Sequence, residues 1–301
     1  MDLKQEIELL KTKKNALILA HYYQRPDIQE IADYVGDSYY LSKIVKNNPN
    51  KLIVFCGVKF MAESAKILSP DKTILFPSFN AGCSMADMAN FKDLKKVKEK
   101  HSDAAVVCYI NSTTEVKSLC DVVVTSSNAL KVIKKLSQNK IIFLPDKNLG
   151  EYISEQIPEK EFILWNGFCT IHKKINENSI LNLKKEIDDA IILVHPECER
   201  NIRNLADFIG STGEIIDYAT SCSAKNYIIC TEEGIHYELN KRNPEKNFYF
   251  PETSLICPNM KKTTLDDVLN VLKNNCNEIT IDEEVRLKAL SCLLNMHELA
   301  R

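Results

Sequence analysis

Three cysteines, Cys83, Cys169 and Cys257, stand 86 and 88 residues apart, each at a Gly- or Pro-marked break after a strand-like apolar stretch. Two further landmarks recur in the same order and at nearly the same period. The apolar runs 17–20, 105–108 and 191–194 end in His21-Tyr22-Tyr23, Tyr109-Ile110-Asn111 and His195-Pro196-Glu197, offset by 88 and 86 residues. Gly36-Asp37-Ser38, Thr125-Ser126-Ser127 and Gly210-Ser211-Thr212 follow. One recurring landmark arises easily by chance; three in register define an internal repeat. The period is domain-sized and too long for a solenoid. Three such copies close around an axis, with one cysteine from each pointing inward.

Within each copy, strand-like runs alternate with amphipathic helical patterns, the mark of α/β units with buried parallel strands. Strands are expected over 15–21, 51–58, 73–77, 104–110, 121–126, 140–144, 162–165, 190–195, 226–231 and 247–250. Helices are expected over 27–35, 38–47, 60–68, 128–137, 197–209, 263–274 and, as a closing element, 282–299. The expected fold is α/β: three similar three-layer αβα domains with parallel sheets around a pseudo-threefold axis. Approximate boundaries are 1–98 with an N-terminal helix, 99–186, and 187–301 with the C-terminal helix.

The 301-residue chain carries a net charge of −2 and a pI near 6.3, so no global field recruits nucleic acid or an anionic membrane. The first residues lack the apolar core of a secretory signal. Runs such as 16–20 and 52–56 are far too short to span a bilayer. A cytoplasmic protein is expected. In that setting its eleven cysteines are buried hydrophobes, metal ligands or reactive thiols rather than disulfides. Cys56, Cys108, Cys230 and Cys292 lie in apolar stripes and read as buried free thiols. No C-x-x-C pair exists, so a metal site must draw on distant segments.

In parallel α/β sheets ligands bind beyond the carboxyl ends of the strands. His21, Tyr23, Tyr109, Asn111, His195 and Glu197 all follow strand ends, and facing one axis they supply proton donors, acceptors and titratable groups. Ser38, Ser126 or Ser127, and Ser211 or Thr212 precede helical patterns in N-cap positions. Three helix N-termini aimed at one axis attract phosphate and carboxylates. No P-loop or G-x-G-x-x-G occurs, which argues against a nucleotide. Three cysteines without a fourth leave two arrangements open. His172, three residues after Cys169, completes a Cys₃His zinc site, or the three hold a [4Fe–4S] cluster with one iron free to act as a Lewis acid.

These residues resemble the quinolinate synthase family along essentially the whole chain. The resemblance rests on His21-Tyr22-Tyr23-Gln24, Gly36-Asp37-Ser38, Gly82-Cys83-Ser84-Met85-Ala86-Asp87, Tyr109-Ile110-Asn111-Ser112, Thr125-Ser126-Ser127-Asn128, Gly167-Phe168-Cys169-Thr170-Ile171-His172, His195-Pro196-Glu197-Cys198, Gly210-Ser211-Thr212 and Cys257-Pro258-Asn259-Met260. It implies a cytoplasmic enzyme of de novo NAD biosynthesis that condenses iminoaspartate with dihydroxyacetone phosphate to quinolinate, phosphate and water. It also implies transient contact with the aspartate-oxidising enzyme that supplies iminoaspartate. The implied cofactor is a [4Fe–4S] cluster on Cys83, Cys169 and Cys257. The implied catalytic groups are His21, Tyr23, Tyr109, His195 and Glu197. Ser38, Asn111, Ser126, Ser211 and Thr212 join His21, Tyr109, His195 and Glu197 in binding substrate. His172 is more weakly implied. Some members carry C-x-x-C-x-x-C at the last ligand; here Pro258 to Lys262 follow Cys257 without further cysteine. Two alternatives stand beside this reading: another three-cysteine iron–sulfur hydro-lyase, and a non-catalytic iron–sulfur metabolite sensor.

Overall fold

The computed structural model describes residues 2–251 and 254–301. The first sheet comprises β1 (Ala16–His21), β2 (Tyr34–Gly36), β3 (Leu52–Cys56) and β4 (Thr73–Leu75). The second comprises β5 (Ala105–Tyr109), β6 (Val122–Val124), β7 (Lys140–Leu144) and β8 (Glu161–Leu164). The third comprises β9 (Ile191–Val194), β10 (Phe208–Ile209), β11 (Asn226–Cys230) and β12 (Asn247–Tyr249). Every strand pair is parallel, and each sheet has the same spatial order, with its first strand between the second and third: β2-β1-β3-β4, β6-β5-β7-β8 and β10-β9-β11-β12. The α/β class and the triplicated unit expected from the repeat are therefore present. The central strands β1 and β5 are buried along their whole length, as continuous apolar strands covered on both faces must be.

Ten of the twelve strands fall where the pattern placed them. The other two, β2 and β10, lie in stretches expected to be helical. The helix expected over 27–35 ends at Ile31, and that over 197–209 shrinks to Arg200–Arg203. The cause is a device that apolar periodicity does not register. Asp33 accepts the Ile18 N–H through Oδ2 (2.8 Å) and donates its own N–H to the Ile18 carbonyl (2.9 Å). Asp121 does the same with Val106 (2.7 and 2.9 Å), and Asp207 with Ile192 (2.8 and 2.9 Å). In each sheet one aspartate thus starts the edge pairing, so two or three strand residues suffice.

The C-terminal segment, grouped by chain order with the third unit, returns to the other two. Helix Leu265–Asn274 packs on helix Leu3–Lys14, and helix Glu283–Leu299 packs against β6 and helices Lys59–Leu68 and Thr114–Lys117. Ala289, Leu293 and Met296 enter the largest apolar cluster, which joins the first and second units. Val285, at the start of the same helix, is only half-buried. Cys56, Cys108, Cys230 and Cys292 are buried free thiols, as expected.

Candidate active site

The carboxyl ends of all three sheets open on one cavity of about 320 Å³, within the range of small-molecule sites. His21, Tyr23, Ser38, Tyr109, Asn111, Ser126, His195, Glu197 and Thr212 line it, together with Cys83, Cys169 and Cys257. Of the expected site residues, only Ser211 does not reach it. Ser211 instead caps helix Thr212–Ser221 in a capping box with Glu214. The other capping expectations are corrected. Asp37, not Ser38, caps helix Ser38–Asn47 through the Tyr40 N–H (2.8 Å). Asn128 occupies the cap position before Ala129–Lys134, its side chain turned back to the Thr125 N–H. The Ser38 and Ser126 hydroxyls are left facing the cavity.

His21 and His195 occupy equivalent strand ends and are held alike. The Tyr23 N–H donates to His21 Nδ1 (3.1 Å), and the Glu197 N–H donates to His195 Nδ1 (3.3 Å). A ring nitrogen that accepts a backbone N–H carries no proton, so Nε2 is the donor in both neutral rings. Burial pushes His21 down to about 3, helped by the charges of Lys261 and His195 and opposed by Glu197. Burial likewise pushes His195 to about 3. Both are neutral hydrogen-bond donors at physiological pH.

A continuous polar chain crosses the three units behind them. The Thr212 hydroxyl meets the Tyr23 hydroxyl (2.7 Å), which meets the Thr231 hydroxyl (2.7 Å), which meets His172 Nε2 (2.9 Å). His172 Nδ1 lies 2.9 Å from Glu197 Oε2, an ion-pair contact off the line of a hydrogen bond, and Tyr109 donates to Glu197 Oε1 at 2.6 Å. The His172 and His195 rings stack with centroids 4.7 Å apart. Burial alone raises a carboxyl; at Glu197 the contact with His172, then His195 and the Tyr109 hydroxyl, more than offset it and hold the group below the usual carboxylate range. Glu197 is therefore an ionised carboxylate among neutral donors. Burial and the Glu197 charge keep the Tyr23 and Tyr109 phenols well above their usual range, so both retain their protons. Thr231, a central link, carries no signal in the apolar periodicity; its position just past β11 is the only hint.

The three cysteines share one local geometry. Lys59, Lys147 and Glu233 donate their N–H groups to the carbonyls of Ala81, Gly167 and Leu255, two residues before each cysteine (2.8, 2.8 and 2.9 Å). The backbone N–H groups of the turn that follows favour the thiolate form of each: Met85 and Ala86 at Cys83, Ile171 and His172 at Cys169, Asn259 and Met260 at Cys257. Burial outweighs them, pushing Cys83 up to about 12, Cys169 well above its usual range and Cys257 upward in spite of the Lys261 charge. Thiols held for ionisation yet buried from water fit ligation of a cation. Among the described residues, Cys169, His172 and Glu197 also offer one ligand atom each within 4.8 Å of one another.

Three like-ordered parallel α/β units bring three half-buried thiols, a glutamate and two imidazoles to one cavity, the arrangement of an α/β enzyme. Residues 5–298 match the family described as Quinolinate synthetase A protein. The chain is 58% identical over 299 residues to a quinolinate synthase of Clostridium perfringens, covering 99% of both chains. It is 55% identical over 299 residues to one of Clostridioides difficile (99% and 98% covered) and 51% identical over 300 residues to one of a Sulfurihydrogenibium strain (98% and 97%). This chain belongs to the quinolinate synthetase A family, a family of enzymes. Among the described residues no helix is long and apolar enough to cross a membrane.

Proposed function

We propose that this chain condenses iminoaspartate with dihydroxyacetone phosphate to give quinolinate, phosphate and two waters, with Cys83, Cys169 and Cys257 as ligands of a [4Fe–4S] cluster. The observation that carries the reading is the convergence of those cysteines, each two residues after an equivalently bonded carbonyl, on the cavity that also holds Glu197, His21 and His195. The overall equation balances without an oxidant, so the site has only to move protons and expel phosphate and hydroxide. With three cysteine ligands, a bound cluster supplies one open iron that polarises a substrate oxygen or nitrogen.

The chain's own groups do the rest. Ser38, Asn111, Ser126 and Thr212 bind phosphate and carboxylate oxygens, Ser38 and Thr212 from the first turns of ten-residue helices whose positive ends favour anions. Nε2 of His21 and of His195 donates to oxygens that gain negative charge. Both imidazoles are fixed as donors and neutral, so Glu197 is the general base. Tyr109 returns its proton to the leaving group, and Tyr23 holds the same hydrogen-bonded chain from the other side. Apolar Val58, Phe60, Met85 and Met260 complete the lining and exclude water from the imine. Free iminoaspartate hydrolyses in water, which suits transient contact with an aspartate-oxidising enzyme. Thiolate ligands need a reducing compartment, which supports a cytoplasmic protein.

A second reading, a single metal ion on Cys169, His172 and Glu197, is favoured by their mutual spacing. Anaerobic purification with absorbance, iron, sulfide and zinc counts separates the two. Four irons per chain and quinolinate formed from the two substrates support the proposal. One zinc per chain, or no quinolinate from a four-iron protein, overturns it. Cys169→Ala is expected to give a colourless, inactive protein; a full four-iron cluster in that variant refutes the ligand assignment.

A further inference from the structure

The three cysteine turns are alike in backbone but differ in what lies behind them. Two residues past the end of the third strand of each sheet stand Val58, Asp146 and Glu232. Glu232 Oε1 accepts the Cys257 N–H at 2.9 Å, whereas Asp146 takes the Leu149 N–H on Oδ1, and Val58 offers Cys83 no acceptor. Among the described residues Asp146 pairs with no cation. Glu232, 1% exposed, takes Lys261 Nζ at 2.9 Å and the Gly234 N–H at 2.6 Å. The same Nζ donates to the Tyr23 carbonyl at 2.6 Å, crossing from the third unit to the first. Two buried contacts reinforce the crossing: Gln29 Nε2 to the Gly234 carbonyl (3.1 Å) and Gln24 Nε2 to Met260 Sδ (3.6 Å). Gly234 is required by the crowding. A Cβ there would meet Lys261 Nζ at 2.6 Å, Glu232 Oε2 at 2.7 Å and Tyr23 Cα at 2.7 Å.

We propose that Lys261 is a positioning residue that couples the two halves of the site. Through Glu232 it sets the backbone of Cys257, and through the Tyr23 carbonyl it sets the loop carrying His21 and Tyr23. The third metal-ligand turn and the first unit's proton-donating pair are thereby fixed by one ammonium group. The inference rests on the ligand role proposed above for Cys257, and its test reads thiol exposure rather than turnover.

The full chain, stripped of metal by chelation under reducing conditions, is pulsed with iodoacetamide, and the labelling of each cysteine is followed by mass spectrometry. Removing charge-assisted hydrogen bonds of this kind in Lys261→Met is expected to speed Cys257 labelling about tenfold, with Cys83 and Cys169 within about twofold of the wild type. Gly234→Ala, which keeps every charge and wedges a methyl against Nζ, gives the same selective rise, and Lys261→Arg restores most of the protection. In the metal-loaded variants kcat falls more than KM rises, because loop geometry changes while the phosphate-binding hydroxyls stay. Unchanged Cys257 labelling in both Lys261→Met and Gly234→Ala overturns the proposal, as does a parallel rise at all three cysteines, which marks general loosening. A wild-type chain that makes no quinolinate but shows the selective labelling refutes the function and leaves the clasp standing.

Discussion

The Tyr109 hydroxyl donates a 2.6 Å hydrogen bond to Glu197 Oε1, joining the carboxyl end of the second sheet to that of the third. With His172 Nδ1 2.9 Å from the other oxygen, Glu197 is bracketed by one donor from β5 and one imidazole contact from a cysteine turn. Its charge is thus sustained by residues that come together only because the second and third units meet. Glu197→Gln keeps the shape and removes the base. Turnover is expected to fall by roughly 10²–10⁴-fold, with iron content and visible absorbance unchanged. Tyr109→Phe removes one of the groups that depress Glu197, so the acid limb of kcat/KM moves to higher pH. A Glu197→Gln enzyme with full activity removes this residue from the mechanism.

Thr231 is fully buried and bridges the Tyr23 hydroxyl and His172 Nε2. Thr231→Val preserves the volume but strands His172 Nε2 and leaves the Tyr23 hydroxyl with Thr212 alone, a loss of about 1–3 kcal/mol. Urea unfolding of the metal-free chain is expected to show that loss, and kcat is expected to drop because Tyr23 and His172 lose their common anchor. A neutral effect on both would show that the polar chain is interrupted at this point.

The pattern of the sequence was most informative where one physical cause dominates. Buried central strands such as β5 and β7 are runs of β-branched and aromatic residues, and they fall within two residues of expectation. The cavity was legible because parallel topology sends every strand end the same way, so His21, Tyr109 and His195 had to converge. What escaped was chemistry carried by single polar atoms. Asp33, Asp121 and Asp207 repeat at offsets of 88 and 86 residues, in register with the other landmarks, yet an aspartate beside an apolar run looks like a turn. Ser211 and Thr212 are adjacent and chemically alike. Only the start of helix Thr212–Ser221 decides that one caps while the other faces the cavity. Lys261 and Glu232 are 29 residues apart, and no periodicity links them.

The two neutral histidines make stability depend on pH. Burial first, then neighbouring charges, lowers His21 and His195 from 6.5 to about 3. Between those values the unfolded chain binds protons at both rings that the folded chain does not. Stability is therefore fully present above pH 6.5 and is lost as pH falls toward 3, at up to about 1.4 kcal/mol per pH unit per ring. Denaturant midpoints of the metal-free protein are expected to fall between pH 6.5 and 4.5, a window above most of the Glu197 titration. Burial also lowers His297 to about 4, so three rings share the window and His195→Gln flattens the histidine-linked slope by about a third. An unchanged slope in that variant would show that His195 is protonated in the folded protein.

Asp207 tests whether the edge strands position the site or merely close the sheets. Its carboxylate receives the Ile192 N–H while its own N–H pairs with the Ile192 carbonyl, and β10 then leads directly into Gly210, Ser211 and Thr212. Asp207→Ala leaves the Ile192 donor unpaired, at a cost of about 1–3 kcal/mol. The two residues of β10 cannot hold the edge without that bracket, so Thr212 shifts from the cavity and the phosphate-bearing substrate loses an anchor. Urea unfolding should therefore show the stability loss, and steady-state assays a higher KM for dihydroxyacetone phosphate. Asp207→Asn retains an acceptor oxygen and is expected to recover most of both. If Asp207→Ala lowers stability and leaves KM untouched, the bracket serves the sheet alone and Thr212 is held by its own helix.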